Sequence, residues 1–251
     1  MKWMIVEKAE ELAQVTYQLL KNEIERQDGN LTIGLATGSS PLGVYEEWRK
    51  DSLDCSNVTT VNLDEYIGLS PEHPQSYHTF MKTHLFDAVT FKQSYLPIGD
   101  TDDANQESER YERLVRELGV DLQLLGIGSN GHIAFNEPGT SFDATTHVTE
   151  LTESTREANQ RFFDQLEDVP SHAITMGLST IMEAKKILLV ASSARKAEAV
   201  RDMMEGPATI DCPATILQRH ADVMIVLDEE AASLLSEEAK RTGRAAYENF
   251  K

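Results

Sequence analysis

The stretch Leu124-Leu125-Gly126-Ile127-Gly128-Ser129-Asn130-Gly131-His132-Ile133-Ala134-Phe135-Asn136-Glu137-Pro138-Gly139 decides how the chain is read. An apolar run ends in a glycine-rich turn. A buried strand that stops at glycines leaves backbone N–H groups facing a ligand. His132 comes directly after the turn, where an imidazole moves protons near neutral pH. Glu137 comes five residues later, placed to fix the tautomer of the histidine and raise its basicity. The segment 126–131 formally matches G-x-G-x-x-G. A dinucleotide fold needs an amphipathic helix straight after those glycines, whereas 133–139 breaks at Pro138-Gly139, so NAD binding is not expected.

Outward from this stretch, apolar runs of four to seven residues alternate with amphipathic ones. The runs predict strands over 4–6, 31–37, 59–63, 122–127, 173–176, 187–191 and 223–227. Helices are predicted over 8–27, 41–50, 76–87, 104–118, 154–164, 194–204 and 230–250, with Gly119 as a left-handed cap. Such alternation implies an α/β fold, a Rossmann-like, mostly parallel sheet with helices on both faces. Residues 1–251 show no composition shift or repeat, so a single domain is expected. Ligands of such folds bind at the carboxyl ends of the strands, so the residues just past each strand carry the chemistry.

After 31–36 comes Thr37-Gly38-Ser39-Ser40-Pro41. Gly38 lets the backbone pass close to a ligand, and Ser39 and Ser40 offer hydroxyls and N–H groups as an anion cradle. The same residues read equally as an ordinary helix start, with Ser40 as N-cap and Pro41 at the first position. No Gly-Lys-Ser/Thr ending is present, so ATP is not indicated. After 61–63 come Asp64 and Glu65, two adjacent acids that cannot both face the core. One faces the crevice as a base and the other points away, or both form a solvated turn. After 187–191 come Ser192-Ser193-Ala194-Arg195-Lys196, hydroxyls and cations suited to a second phosphate clamp. Of Arg156 and Arg161, at most one should face a ligand. The other histidines show no H-x-x-x-H spacing and the two cysteines, Cys55 and Cys212, lie far apart, so neither a metal site nor a disulfide framework is indicated.

The formal net charge of the 251 residues is -19. That opposes nucleic-acid binding, which needs clustered Lys and Arg, and binding to anionic membranes. An anionic substrate must therefore find a local positive site. No apolar run approaches the roughly 18 residues needed to cross a bilayer. The acidic turn of the N-terminus at Glu7 does not read as a signal peptide. A cytoplasmic protein is expected.

The runs Leu63-Asp64-Glu65-Tyr66-Ile67-Gly68-Leu69, Gly126 to Pro138 and Ala36-Thr37-Gly38-Ser39-Ser40-Pro41 together resemble the glucosamine-6-phosphate deaminases. The resemblance extends over nearly the whole chain. It includes Ser76-Tyr77 with Phe80-Met81, Ala158-Asn159 with Arg161-Phe162-Phe163, and Lys196 ahead of Glu205-Gly206. It implies isomerisation coupled to deamination, with D-glucosamine 6-phosphate and water giving D-fructose 6-phosphate and ammonia, in amino sugar catabolism and without metal or organic cofactor. His132, held by Glu137, would assist ring opening. Asp64 would take the proton from C2 and return one at C1. The phosphate would lie against Gly38, Ser39, Ser40, Arg161 and Lys196.

Two departures from the family pattern bear on these expectations. Asn130 stands where some members have aspartate; an amide orients a partner but carries no charge, which puts weight on Glu137 and leaves Asn130 a supporting candidate. Allosterically activated hexameric relatives carry basic residues after the Asn-Glu-Pro turn, whereas 143–149 contains no Lys or Arg. An unregulated enzyme, monomeric or a small homo-oligomer, is expected. The polar segment 139–153 is the expected lid. The alternatives are a galactosamine-6-phosphate deaminase/isomerase, a 6-phosphogluconolactonase-like hydrolase and a non-catalytic sugar-phosphate sensor. The sensor would need no base, yet Asp64, His132 and Glu137 are all present.

Overall fold

In the computed structural model, residues 1–27 and 29–251 are described, apart from the side chains of Ala9, Ala158 and Phe162; the resemblance drawn through the last two therefore lies outside the described side chains. In chain order the first half comprises β1 (Lys2–Val6), α1 (Ala9–Glu25), β2 (Leu31–Leu35), α2 (Leu42–Lys50), β3 (Val58–Asn62), β4 (Asp64–Tyr66), α3 (Tyr77–Met81), β5 (Gln93–Tyr95), α4 (Ala104–Leu118) and β6 (Leu122–Leu125). The second half adds β7 (His147–Glu150), α5 (Glu153–Asn159), β8 (His172–Thr175), α6 (Leu178–Met182), β9 (Lys186–Ala191), α7 (Ala197–Glu205), β10 (Val223–Asp228) and α8 (Glu237–Glu248).

Seven strands form one sheet in the order β1-β10-β9-β6-β2-β3-β5, parallel throughout. The expected α/β architecture is present. Strands β2, β3 and β6 are buried along their whole length, as strands covered by helices on both faces must be. Two hydrophobic clusters lie on the two faces, one around Val61, Leu125, Leu189 and Ile225, the other around Trp48, Ile33, Leu124 and Val226. The chain starts at β1 on one edge, crosses to β2 and runs outward to β3 and β5, then returns to β6 beside β2 and continues outward through β9 to β10, which lies against β1. The strand order thus reverses between β2 and β6, which opens a crevice at their carboxyl ends.

Several elements differ from expectation. The run 173–176 does not join the parallel sheet; as β8 it pairs antiparallel with β4 and β7 in a second, three-stranded sheet. The sequence reading missed β4, β5 and β7. Each has three or four residues, and β5 and β7 are polar and partly exposed, so neither carries an apolar period. The helix expected over 76–87 runs as α3 and then widens into a π-helical turn, Lys82–Phe86. The helix expected over 230–250 begins only at Glu237, where Ser236 caps it by accepting from the Ala239 N–H at 3.3 Å. The residues before it are held in turns by Asp228, whose carboxylate accepts from the Ala231 N–H at 2.7 Å. The helix expected over 194–204 opens as a 3-10 turn, Ala194–Lys196, before α7. That expected over 154–164 ends as α5, continued by a 3-10 turn.

Candidate active site

A crevice of about 660 Å³ lies over the β2/β6 switch point and is walled by the segments just past β2, β6 and β9. Its floor is the turn 126–131. The Gly128 N–H donates to the His132 carbonyl at 2.9 Å and the Gly131 N–H to the Gly128 carbonyl at 3.1 Å, so the turn closes on itself. The imidazole of His132 then lies on Gly128, where a Cβ would come within 2.3 Å of the ring. A side chain at this position would displace the His132 ring. Ala134 adopts a left-handed backbone with φ of 53°. The Asn136 side-chain amide stabilises this turn by donating to the carbonyls of Ile133 at 3.0 Å and Met176 at 2.9 Å.

Glu137 stands behind His132. Its Oε2 is 3.4 Å from His132 Nδ1, an ion-pair distance that lacks hydrogen-bond geometry. Oε2 also accepts from Asn130 Nδ2 at 2.8 Å, while Oε1 accepts from the hydroxyls of Thr155 and, at 3.3 Å, Thr152. Burial raises the Glu137 pKa, but His132, Thr155 and Asn130 outweigh it and bring the carboxyl down to about 2. Glu137 is therefore a fixed carboxylate. Asn130 bridges the pair, since its Oδ1 accepts from the His132 N–H at 3.2 Å.

Asp64 opens β4 on the opposite wall, 6% exposed, and faces the crevice. Burial, with the neighbouring Glu65 charge, pushes its carboxyl up to about 8. Glu65 points the other way and accepts from the Tyr77 N–H at 2.9 Å. The two acids thus divide as the strand alternation requires. A single strand ties the two walls together. The Met176 N–H, just past β8, donates to the Leu63 carbonyl at 2.7 Å, and Thr175 of β8 pairs with Asp64 while its Oγ1 accepts from the Phe135 N–H at 3.0 Å.

The third side is cationic. Gly38 takes φ of 84°, and the adjacent hydroxyls do not cap α2, whose N-cap position is Pro41. The reading of Ser40 as N-cap is thereby corrected: Lys196 Nζ donates to Ser40 Oγ at 2.6 Å. The Arg161 guanidinium reaches Ser39 Oγ at 3.4 Å. Lys196 is brought down to about 8 by burial and by repulsion from Arg161 and Arg195, against the opposing pull of Asp228. Arg156, by contrast, turns inward and donates to the carbonyls of Leu166 and Val169, both at 3.1 Å. Ser193 holds φ of 80° with its N–H on the Asp228 carboxylate, a strained backbone at the edge of the cationic wall.

All nine residues singled out from the sequence therefore border the crevice or, for Glu137, stand directly behind one that does. Arg195, read from the sequence as part of a phosphate clamp, also lines the crevice, whereas Tyr77 and Thr155 were given no role. Tyr77 carried motif context but no unique signal, and Thr155 is revealed only by its bond to Glu137. The expected lid is also corrected. No residue of 139–153 lines the crevice; the Gly139 N–H is held by the Ile210 carbonyl at 2.9 Å, Thr146 by Glu112, and β7 by β8. The nearest following residues that do line it are Ser154, Thr155, Glu157, Asn159 and Arg161. Among the described residues, no group of three or more His, Cys, Asp or Glu could hold a metal ion.

Residues 6–226 match the family described as glucosamine-6-phosphate isomerases/6-phosphogluconolactonase. The chain belongs to that family. Within this isomerase/lactonase family, the glucosamine-6-phosphate deaminase of Exiguobacterium sibiricum is 82% identical over 250 residues, covering 100% of this chain and 99% of that protein. The glucosamine-6-phosphate deaminase of Bacillus cytotoxicus is 56% identical over 237 residues, 94% of this chain and 90% of its own length. A monomeric glucosamine-6-phosphate deaminase of known structure superposes with a TM-score of 0.91 at 46% identity, covering 93% of this chain and 100% of the other.

Proposed function

We propose that the chain, as one α/β domain, is a glucosamine-6-phosphate deaminase that converts D-glucosamine 6-phosphate and water to D-fructose 6-phosphate and ammonia. The observation that carries this reading is a carboxylic acid with raised basicity, Asp64, facing a histidine–carboxylate pair across a crevice with a cationic end. The 82% identity to a deaminase supports the same substrate.

The phosphate dianion binds at Gly38, Ser39, Ser40, Arg161 and Lys196, displacing the Lys196–Ser40 contact. His132 moves a proton at the ring oxygen, and the fixed negative charge of Glu137 stabilises its protonated form. Asn130 holds Glu137 in place. In the open chain, ionised Asp64 takes the proton from C2; the C–H electrons form the C1=C2 bond and O1 is protonated. The same carboxyl returns the proton to C1, leaving a ketimine at C2. Water adds to C2 and ammonia departs. A carboxylate whose pKa lies near the working pH is a better carbon base than an ordinary one.

Among the described residues no helix is long and apolar enough to cross a membrane. A cytoplasmic enzyme, monomeric or a small homo-oligomer and not activated by N-acetylglucosamine 6-phosphate, fits a 143–149 region without Lys or Arg and the monomeric relative. The test is stoichiometric release of ammonia and fructose 6-phosphate from glucosamine 6-phosphate by EDTA-treated protein, with galactosamine 6-phosphate and 6-phosphogluconolactone run in parallel. Preferential turnover of the galactosamine epimer, or lactone hydrolysis without ammonia release, overturns the assignment.

A further inference from the structure

Glu65 has no place in the chemistry above, yet it is among the most heavily bonded side chains near the crevice. It is 1% exposed. Its Oε1 accepts from the backbone N–H of Tyr66 at 2.8 Å and of Tyr77 at 2.9 Å. Its Oε2 accepts from the His78 N–H at 3.0 Å and lies 2.9 Å from His78 Nδ1. An ionised carboxylate only accepts, so Nδ1 is the fourth donor. Charge-assisted bonds of this kind are the strong ones, and three of the four donors are backbone groups with little freedom to move.

These bonds weld β4 to the first turn of α3, where Ser76 adds a cap by accepting from the Thr79 N–H at 3.1 Å. The weld has two consequences at the crevice. Tyr77 is fixed with its ring 4.7 Å from that of Tyr66 and stacked on Phe135 at 6.1 Å and 12°, and it forms part of the crevice wall. Asp64, the preceding residue on the same strand, has a fixed anion at its back.

We propose that Glu65, held by His78, is a positioning residue for the deamination, fixing Tyr77 as the wall against which the open-chain sugar lies and stationing a negative charge directly behind Asp64. The proposal rests on the reading of Asp64 as the base. The groups around Asp64 are Glu65 and Tyr66 on its own strand, Tyr45 from α2, Tyr77 from α3, Tyr111 from α4, and His132, Arg161 and Lys196 across the crevice. Burial raises all four phenols, so none of them is ionised in the working range. Glu65 is the charge that acts on Asp64, and it acts in the same direction as burial, toward a stronger base.

The test uses the whole protein. Glu65→Gln keeps the shape, removes the charge and turns an amide N–H2 toward one of the donors. The expected result is a fall in kcat of at least about tenfold. The acid limb of the kcat/KM profile moves to lower pH, because Asp64 loses the neighbour that opposed its ionisation. Fructose 6-phosphate binding stays within about twofold, because the phosphate cradle is on other elements. A purely structural role lowers the melting temperature and leaves the acid limb where it was, which overturns the proposal. His78→Leu is expected to lower kcat several-fold with KM unchanged, and His78→Asn, whose amide N–H reaches the Nδ1 position, to restore it. This pair keeps the idea testable if Glu65→Gln does not fold: wild-type kcat in His78→Leu overturns the weld. Wild type and Asp64→Asn are assayed alongside. A wild type that releases no ammonia ends the deaminase reading, whereas an active, Asp64-dependent enzyme indifferent to Glu65 ends this proposal alone.

Discussion

Lys196 offers the sharpest quantitative test of the phosphate site. Burial and the nearby Arg161 and Arg195 bring its ammonium down to about 8 in the open crevice. A phosphate dianion arriving against Nζ favours the protonated form, so binding takes up a proton wherever the free lysine has lost one. Affinity is therefore full below the free-enzyme pKa and declines as pH rises through it. With that pKa, the protonated fraction falls from about nine-tenths near pH 7 to about one-tenth near pH 9, which predicts about a tenfold loss of affinity, or about 1.4 kcal/mol. The ligand of choice is fructose 6-phosphate, which carries the phosphate but no amine to titrate, and whose phosphate is a dianion throughout that range. Isothermal titration calorimetry gives both the affinity and, from buffers of different ionisation enthalpy, the proton uptake. Asp64 also titrates near pH 8, but its contribution persists in Lys196→Arg, so the variant separates the two. Arginine stays charged across the window and should flatten the Lys196 component. Equal pH slopes in wild type and Lys196→Arg, with no proton uptake, would refute the reasoning.

Asp64→Asn should lower kcat by about 10²–10⁴-fold while fructose 6-phosphate binds nearly as before, since the base is lost and the shape kept; steady-state turnover beside calorimetry checks it, and an active variant removes Asp64 as base. Gly128→Ala places a methyl 2.3 Å from the His132 ring and should displace the imidazole, costing roughly 10²-fold in kcat with an unchanged circular dichroism spectrum. Trp48→Ala empties a fully buried site in the cluster under α2 and should destabilise the fold by about 3–5 kcal/mol in urea denaturation.

The parallel sheet was legible because its strands are continuous apolar runs, and a strand buried on both faces has no other way to read. The crevice was legible for the same reason: a strand that ends in glycine, serine or an acid announces a change of solvent at that point. The second sheet stayed hidden. Asp64, Glu65 and Tyr66 form a strand only because β8 lies beside them, and no local pattern in three residues records a partner more than a hundred positions away. Ser40 misled for a related reason. Its position before Pro41 fits a helix cap, yet the hydroxyl turns to Lys196, 156 residues distant, which a local capping rule does not see. The lid expectation failed because polarity was taken for mobility; the carboxylate of Glu112 and the edge of β8 anchor that polar segment.

Strand β8 contributes nothing to the lining of the crevice, yet it contacts the backbone on both sides of it, at Leu63–Asp64 and at Phe135. It works as a spacer bar. The gap between Asp64 and the imidazole of His132 is set by a strand that a survey of polar side chains in the crevice would pass over. A one-residue slip of β8 against β4 would leave every reacting group intact and change the distance between them. In this chain, then, the width of the crevice is a property of pairing register as much as of the side chains that line it. An attempt to resize the site for a longer or shorter substrate should begin with β8, where the reach of the reaction is gauged.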